Sequence, residues 1–119
     1  MKKILVIDDE TSLRETIAEL LTVFGFNVFE AQNGEEGLKK VQEIEPNLII
    51  CDIMMPVLDG YGFIKAHMES ELSTIPVLFL SAKVEKNDKE KGLTLGAKEY
   101  IRKPFVFGEL KEMVNSYIL

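Results

Sequence analysis

Several features of secreted, membrane-spanning and metal-thiolate proteins are missing from this chain of 119 residues. Its one cysteine, Cys51, allows neither an intramolecular disulfide nor a multi-cysteine metal site, which suits a reducing compartment. Its longest apolar runs are far shorter than the roughly 20 residues that a membrane helix needs. The N-terminus lacks the long apolar segment and small-residue cleavage site of a secretion signal. We therefore expect a cytoplasmic location.

Positive charge is also in short supply. The chain has 14 lysines and arginines against 20 aspartates and glutamates, which gives a formal net charge of −6. Phosphate backbones and anionic lipid surfaces should repel such a chain, so we expect no direct nucleic-acid or membrane binding. The sequence contains no repeat, low-complexity tract or linker-like segment. Its length and its 46% hydrophobic residues predict one folded domain over residues 1–119.

Five short apolar segments alternate with segments of helical length. Three of the five are continuously apolar, a pattern typical of parallel strands buried on both faces of a sheet. Strands that alternate with helices predict an open α/β domain with helices on both sides of the sheet. The predicted strands are residues 3–8, 27–31, 48–52, 77–81 and 99–102.

Capping signals mark several helix ends. Gly25 follows the first helical segment as a C-terminal cap, and Asn33 with Glu36 forms a capping box for the second. Pro46 closes that second helix. The remaining helices are predicted over residues 60–69, residues 85–95 and the segment that carries Leu110, Met113, Val114 and Tyr117.

Three acidic residues follow the strands that we expect to lie at the centre of the sheet. Asp8 and Asp9 come after the first strand and Asp52 ends the third, at the edge where open α/β sheets bind ligands. At about 4 Å and an effective dielectric constant near 20, each like-charge pair costs roughly 4 kcal/mol. Such a cluster either raises a pKa or holds a cation. Taken singly, Asp8 could be an ordinary strand-end residue and Asp9 an N-cap.

The ligand set favours a hard cation. Carboxylate oxygens and water suit octahedral Mg²⁺, with Mn²⁺ as a substitute, better than a seven-coordinate Ca²⁺ cage. Ser81 ends the fourth strand and Lys103 follows the fifth, so a hydroxyl and an ammonium should face the acids. Together these groups could hold a phosphoryl group on one carboxylate.

The motifs as a set resemble the receiver domain of bacterial two-component response regulators. The resemblance spans essentially the whole chain. It implies a flavodoxin-like five-stranded parallel sheet of order 2-1-3-4-5 with five helices on its two faces. The matching motifs are Asp8-Asp9, the run from Asp52 to Gly60, Ser81-Ala82 and the run from Gly96 to Phe105.

The resemblance also implies a role for each position. Asp52 would accept a phosphoryl group from a phosphohistidine. The implied metal ligands are Asp9 and Asp52 directly, Asp8 largely through water, and the backbone carbonyl of Met54. The implied catalytic residues are Asp52, Ser81 and Lys103, and the implied switch residues are Ser81 and Tyr100. The peptide bond before Pro104 is cis in the family.

A receiver domain would act as a phosphorylation-dependent signalling switch. It is not a conventional enzyme, since it catalyses only its own phosphorylation and dephosphorylation. Expected partners are a sensor histidine kinase or histidine phosphotransfer protein, a downstream effector, and a second copy of the chain through the fourth helix, fifth strand and fifth helix. The charged stretch 83–91 belongs to that face or is an ordinary solvated surface. The last helix lacks the basic residues of one arginine-rich dimerising subfamily.

Two flanking positions should tune the lifetime of the acyl phosphate. Met54 lies two residues after Asp52 and could shield the phosphoryl group from water. Lys83 lies two residues after Ser81 and could add charge near the path of attack. We expect the lifetime to change when either Met54 or Lys83 is replaced.

Other functions fit the sequence less well. An aspartate-nucleophile phosphatase would carry a second aspartate where Met54 stands, and a flavin mononucleotide carrier would be repelled by Asp8-Asp9-Glu10. A degenerate receiver that only binds partners would not need the acid, hydroxyl and lysine set. We interpret His67 as a partly exposed helix residue and Cys51 as a small core residue. The Gly60-Tyr61-Gly62 run lacks the rest of a dinucleotide-binding motif.

Overall fold

Five parallel strands form one sheet in the order β2-β1-β3-β4-β5. The structure is a computed structural model that describes residues 1–82 and 86–119. The predicted strand order and α/β class are confirmed. The elements in chain order are β1 (Lys3–Ile7), α1 (Thr11–Val23), β2 (Asn27–Ala31), α2 (Gly34–Ile44), β3 (Leu48–Asp52), α3 (Gly60–Met68), β4 (Val77–Ser81), α4 (Lys86–Leu95), β5 (Glu99–Arg102) and α5 (Phe107–Tyr117).

The central strands are buried on both faces, as their continuous apolar sequences predict. Every residue of β3 and β4 is buried. Ile7 of β1 pairs with Cys51 of β3. The next residue along each strand is an aspartate, so this register brings Asp8 and Asp52 to the same level at the carboxyl edge of the sheet.

Helices cover the two faces of the sheet and divide the core into two clusters. On one face, apolar side chains of α2, α3 and α4 pack against the sheet, with Phe63 and Phe79 among the largest buried residues. On the other face α1 and α5 supply Ile17, Leu21 and Leu110. The two-sided arrangement predicted from the sequence is confirmed, and it leaves the carboxyl edge of the sheet open between the helix layers.

Local signals account for several helix ends. Asn33 Oδ1 accepts a hydrogen bond from the Glu36 amide at 2.8 Å, which satisfies a free donor in the first turn of α2. Glu45 follows α2 in a left-handed conformation with φ of 45°, and Pro46 comes next. Gly25 has φ of +94°, a conformation that glycine adopts at little cost after a helix. The predicted cap at Asn33 is confirmed, whereas the C-cap of α1 is Phe24 and Gly25 is the residue directly after it.

Two predicted element ends lie one residue beyond the ends in the structure. Strand β1 ends at Ile7, and Asp8 lies just beyond it with its N–H donating to the Ala31 carbonyl. Helix α3 ends at Met68, so Glu69 is its C-cap. The predicted start of the fourth helix at residue 85 lies outside the described residues. Across the two described stretches, no helix has the length and apolarity to cross a membrane.

Candidate functional site

The three predicted acids meet at the carboxyl edge of the sheet. One carboxylate oxygen from each of Asp8, Asp9 and Asp52 lies within 4.8 Å of the others. Asp8 and Asp52 are 1% and 7% exposed, whereas Asp9 is exposed on the loop between β1 and α1. The helix N-cap position belongs to Glu10 and not to Asp9, so the alternative role of Asp9 as a cap is wrong.

Lys103 reaches into this acidic cleft from the loop after β5. Its Nζ lies 3.2 Å from Asp8 Oδ2 and 3.5 Å from Asp52 Oδ1. The lysine backbone is fixed as well, because its N–H donates to the Ser81 carbonyl at 2.8 Å. The peptide bond between Lys103 and Pro104 is cis, as the family resemblance implied. One ammonium against three carboxylates leaves a net negative charge that suits a divalent cation.

Asp52 has the electrostatic signature of a perturbed functional acid. Burial first, and the neighbouring charge of Asp8 second, raise its pKa from the usual 3.8 to about 6. The Lys103 ammonium and a hydrogen bond from the Ile53 amide to Asp52 Oδ1, at 2.9 Å, oppose the rise. Perturbed acids in a cleft are candidates for chemistry.

The residue before Asp52 is Cys51, and its predicted place in the core is confirmed. Cys51 is fully buried, and its thiol donates to the Asp52 carbonyl at 3.2 Å. Burial raises the pKa of this thiol well above its ordinary value, so it stays protonated and unreactive at neutral pH.

Ser81 and Tyr100 lie on the neighbouring strands, on the Lys103 side of the cleft. Ser81 ends β4 and is completely buried, and it pairs across the sheet with Arg102. Tyr100 of β5 is half-buried and packs against the α2–α3–α4 core. Burial raises the pKa of Tyr100, and a hydrogen bond with the Ser81 side chain opposes this rise. The two predicted switch residues are therefore in direct contact.

The loop between β3 and α3 begins directly after Asp52. A side chain at Gly60 would place its Cβ 2.5 Å from the Asp52 carbonyl oxygen, so only glycine allows α3 to start this close to the acid. Met54 lies in this loop, and its side chain is 59% exposed. Val57 has φ of 69°, which is unusual for a β-branched residue. Lys83, the second position predicted to affect acyl-phosphate lifetime, lies outside the described residues.

The role of Asp59 beside the site was not predicted from the sequence, and the environment of His67 was predicted wrongly. Asp59 caps α3 by accepting from the Gly62 amide at 2.8 Å, and the aspartate just before the helix was the available signal. His67 was predicted to be partly exposed, which is wrong. It is 1% exposed, its Nε2 is 2.9 Å from the Ile75 carbonyl oxygen, and its ring stacks on Phe63.

The donor set of the cleft fits a magnesium ion. Asp8, Asp9 and Asp52 supply hard carboxylate oxygens at the mouth of the cleft, and Asp9 remains exposed to water. Magnesium keeps several water ligands and binds proteins through few carboxylates, which matches this half-open cluster. Fold and cleft together define a doubly wound α/β domain with an acidic, lysine-containing site at the carboxyl ends of its strands.

Residues 4–115 match the response regulator receiver domain, and the chain belongs to that family. It is therefore a domain of two-component signalling that works through phosphorylation. The chain is 33% identical to the chemotaxis protein CheY4 of Vibrio cholerae, and the two structures superpose with a TM-score of 0.92 over 99% of each chain.

The curated relatives are longer proteins. The chain is 42% identical to the alkaline phosphatase synthesis transcriptional regulatory protein PhoP of Bacillus subtilis, over 98% of this chain and 48% of that protein. Its identity to the transcriptional regulator ycf27 of Porphyridium aerugineum is also 42%, with the same two shares. The chain thus spans about half the length of the curated relatives it matches.

Proposed function

We propose that Asp52 is the phosphoacceptor of this receiver domain and that the donor is a phosphohistidine on a sensor histidine kinase or a phosphotransfer protein. The observation that carries the proposal is the contact of Lys103 Nζ with both Asp8 and Asp52 inside the three-carboxylate cluster. A buried acid next to a fixed ammonium is suited to carrying a phosphoryl group.

The transfer itself exchanges one bond to phosphorus for another. A carboxylate oxygen of Asp52 forms a bond to phosphorus as the bond between phosphorus and the donor imidazole nitrogen breaks. The donor imidazole carries a proton on its other ring nitrogen, so it leaves with the electron pair of the broken bond as neutral histidine. Because the transferred group carries negative charge on its three outer oxygens, catalysis consists mainly of positioning and charge stabilisation.

The surrounding residues supply this stabilisation. Lys103 pairs with a phosphoryl oxygen, and Ser81 donates a hydrogen bond to another. Asp8, Asp9, Asp52 and the Met54 carbonyl would hold Mg²⁺, or Mn²⁺ as a substitute, which when bound neutralises negative charge beside the phosphoryl group. The domain is then not a conventional enzyme, since it catalyses only its own phosphorylation and dephosphorylation.

Phosphorylation would change the surface formed by α4, β5 and α5. The new charge of about −1.5 to −2 draws the Ser81 hydroxyl toward the phosphoryl group, and Tyr100 follows its hydrogen-bonding partner. The α4–β5–α5 surface would bind an effector domain or protein, or a second copy of the chain. The longer relatives, which are named transcriptional regulators, support an effector domain.

A groove beside the cleft supports docking of the donor protein. It encloses about 480 Å³ next to Lys103 and Pro104, and apolar side chains of α1 and the β5–α5 connection line most of it. A mainly apolar surface next to the acceptor suits a partner that must bring its phosphohistidine to Asp52.

Intact mass spectrometry after incubation with acetyl phosphate tests the proposal. We expect one base-labile phosphoryl group on the wild type with Mg²⁺, and none on the wild type in EDTA or on Asp52→Asn. Asp59→Asn is the matched control, because asparagine also caps a helix and Asp59 lies outside the cluster; it should be phosphorylated like the wild type. An unmodified wild type, even with a second phosphodonor, would instead indicate a receiver that binds partners without phosphate.

A further inference from the structure

Arg14 connects the acidic loop between β1 and α1 to the neighbouring strand β2. Its Nη1 donates to the Asp8 carbonyl at 2.8 Å, and its Nε donates to Glu30 Oε1 at 3.0 Å. The Arg14 side chain is only 14% exposed. We propose that Arg14 and Glu30 form a positioning brace, which holds this loop in the geometry that binds the divalent cation. The inference rests on the metal site of the proposed function.

The loop needs such support because α1 begins without a capping side chain. Glu10 occupies the N-cap position but makes no side-chain capping bond in the described structure, and the first turn holds no acidic residue. The order of the loop therefore depends on Asp8. Its Oδ1 accepts from the Glu10 amide at 3.0 Å, which forms a local turn.

The brace completes the attachment of Asp8 to β2. The Asp8 N–H donates to the carbonyl of Ala31 at 3.0 Å. The Asp8 C=O accepts a hydrogen bond from Arg14, which also donates to Glu30, the residue before Ala31. Both polar groups of the Asp8 backbone are thus tied to consecutive residues of one strand. The side chain is tied on the other side, where Lys103 Nζ lies 3.2 Å from Oδ2.

This attachment of Asp8 is needed because the three acids of the cleft repel one another. Carboxylate oxygens of Asp8, Asp9 and Asp52 lie within 4.8 Å of one another, and Asp9 sits on the exposed part of the loop. Without a restraint on the backbone, the loop could relieve the repulsion by moving outward, and the ligand set would open. Residues that are hydrogen-bonded to metal ligands and orient them typically contribute 10–100-fold to metal affinity.

Arginine suits this role better than lysine. Its planar guanidinium presents donors at fixed angles, so a single side chain can hold two acceptors on different segments. Lysine at position 14 would keep the charge but offer one nitrogen in place of two. The brace therefore predicts that Arg14→Lys is not a conservative substitution.

Binding of Mn²⁺, measured by electron paramagnetic resonance on the unphosphorylated protein, tests the brace directly. We expect Arg14→Lys and Glu30→Gln each to weaken Mn²⁺ binding by about tenfold. The double variant should be little weaker than either single variant, because each change already breaks the brace. Glu15→Gln is the matched control: it removes one exposed acid from α1 and should bind Mn²⁺ like the wild type.

Two further readouts separate positioning from simple stability. Hydrogen exchange at the Glu10 amide, which bonds to Asp8 Oδ1, should accelerate in Arg14→Lys. A merely structural role would lower the melting temperature but leave Mn²⁺ affinity of the folded protein unchanged, and that result would overturn the inference. If the wild type binds Mn²⁺ and Asp52→Asn does not, unchanged affinity in both brace variants overturns the brace alone. If the wild type binds no Mn²⁺, the proposed metal site and the brace both fail.

Discussion

Val57 is a β-branched residue with a positive φ, a backbone conformation that its type rarely adopts. It adopts φ of 69° in the loop between β3 and α3, and its side chain is 73% exposed. A left-handed conformation costs an L-residue roughly 1–2 kcal/mol, whereas asparagine visits it readily. Because the side chain is largely in solvent, little packing offsets this strain.

Val57→Asn should therefore stabilise the protein by about 1 kcal/mol. Urea unfolding followed by far-UV circular dichroism measures the change. Val23→Asn is the control, since Val23 is 79% exposed but lies in the helical backbone of α1. There asparagine should destabilise slightly through its lower helix propensity. Equal effects at the two positions would show that the backbone at Val57 is not strained.

At the scale of the element, His67 fixes the C-terminal half of α3 to the segment that leads into β4. Its Nε2 lies 2.9 Å from the Ile75 carbonyl oxygen, and carbonyls only accept, so Nε2 carries the proton. Within the described residues, Nδ1 is buried without a hydrogen-bond partner. Protonation of Nδ1 would place an unpaired charge in the core, and burial accordingly lowers the pKa of His67 from its usual 6.5.

This lowered pKa predicts how stability depends on pH. Between the folded pKa and 6.5 the unfolded chain binds more protons, so the contribution of neutral His67 is complete above pH 6.5 and is lost as the pH falls below it. His67→Gln keeps a donor for the Ile75 carbonyl but does not titrate. The stability difference between wild type and His67→Gln should therefore shift in favour of the variant at pH 5.

Urea unfolding of both proteins at pH 7.5 and pH 5 measures this shift. The titration of all other groups is common to both proteins and cancels in the difference. Ser70→Ala is the control, because it removes the 2.7 Å hydrogen bond from Ser70 Oγ to the His67 carbonyl without removing a titrating group. Its effect should be the same at both pH values. A wild-type to His67→Gln difference that does not depend on pH would contradict the assignment.

The sequence predicted the strands well because each central strand is one continuous apolar run. All strand bounds agree except the end of β1, where Asp8 leaves the sheet to turn toward Glu10. Helix starts were predictable where a side chain caps the first turn, as at Asn33. The start of α1 was not, since Glu10 offers no such signal.

The residues that form the candidate site could be predicted from the sequence, but the contacts between them could not. Parallel topology brings strand ends together, so Asp8, Asp52 and Lys103 could be assigned to one cleft from the sequence. The involvement of Arg14 could not, because it depends on a contact with Glu30 sixteen positions away that no periodicity marks. The burial of His67 was equally hidden, since its carbonyl partner Ile75 lies in the connection between α3 and β4.

At the scale of the whole molecule, the acidic cleft that would serve the function also lowers the stability of the folded state. The chain carries a net charge of −6, and three of its acids converge at one end of the sheet. The burial of Asp52 and, second, repulsion from Asp8 disfavour the ionised form of Asp52 in the folded state. A bound divalent cation would remove this penalty, because a ligand that binds only the folded state stabilises it.

Global stability should therefore respond to Mg²⁺ and to Asp52 together. In EDTA at pH 7.5, Asp52→Asn should be more stable than the wild type by about 1–2 kcal/mol, a figure that allows for solvent screening at the open mouth of the cleft. Adding Mg²⁺ should raise the melting temperature of the wild type and leave that of Asp52→Asn nearly unchanged. Asp59→Asn, which alters an acid outside the cluster, should respond to Mg²⁺ like the wild type. Thermal unfolding of the three proteins with and without Mg²⁺ tests this coupling; equal Mg²⁺ shifts in all three would mean that the ion stabilises the fold from somewhere other than the acidic cleft.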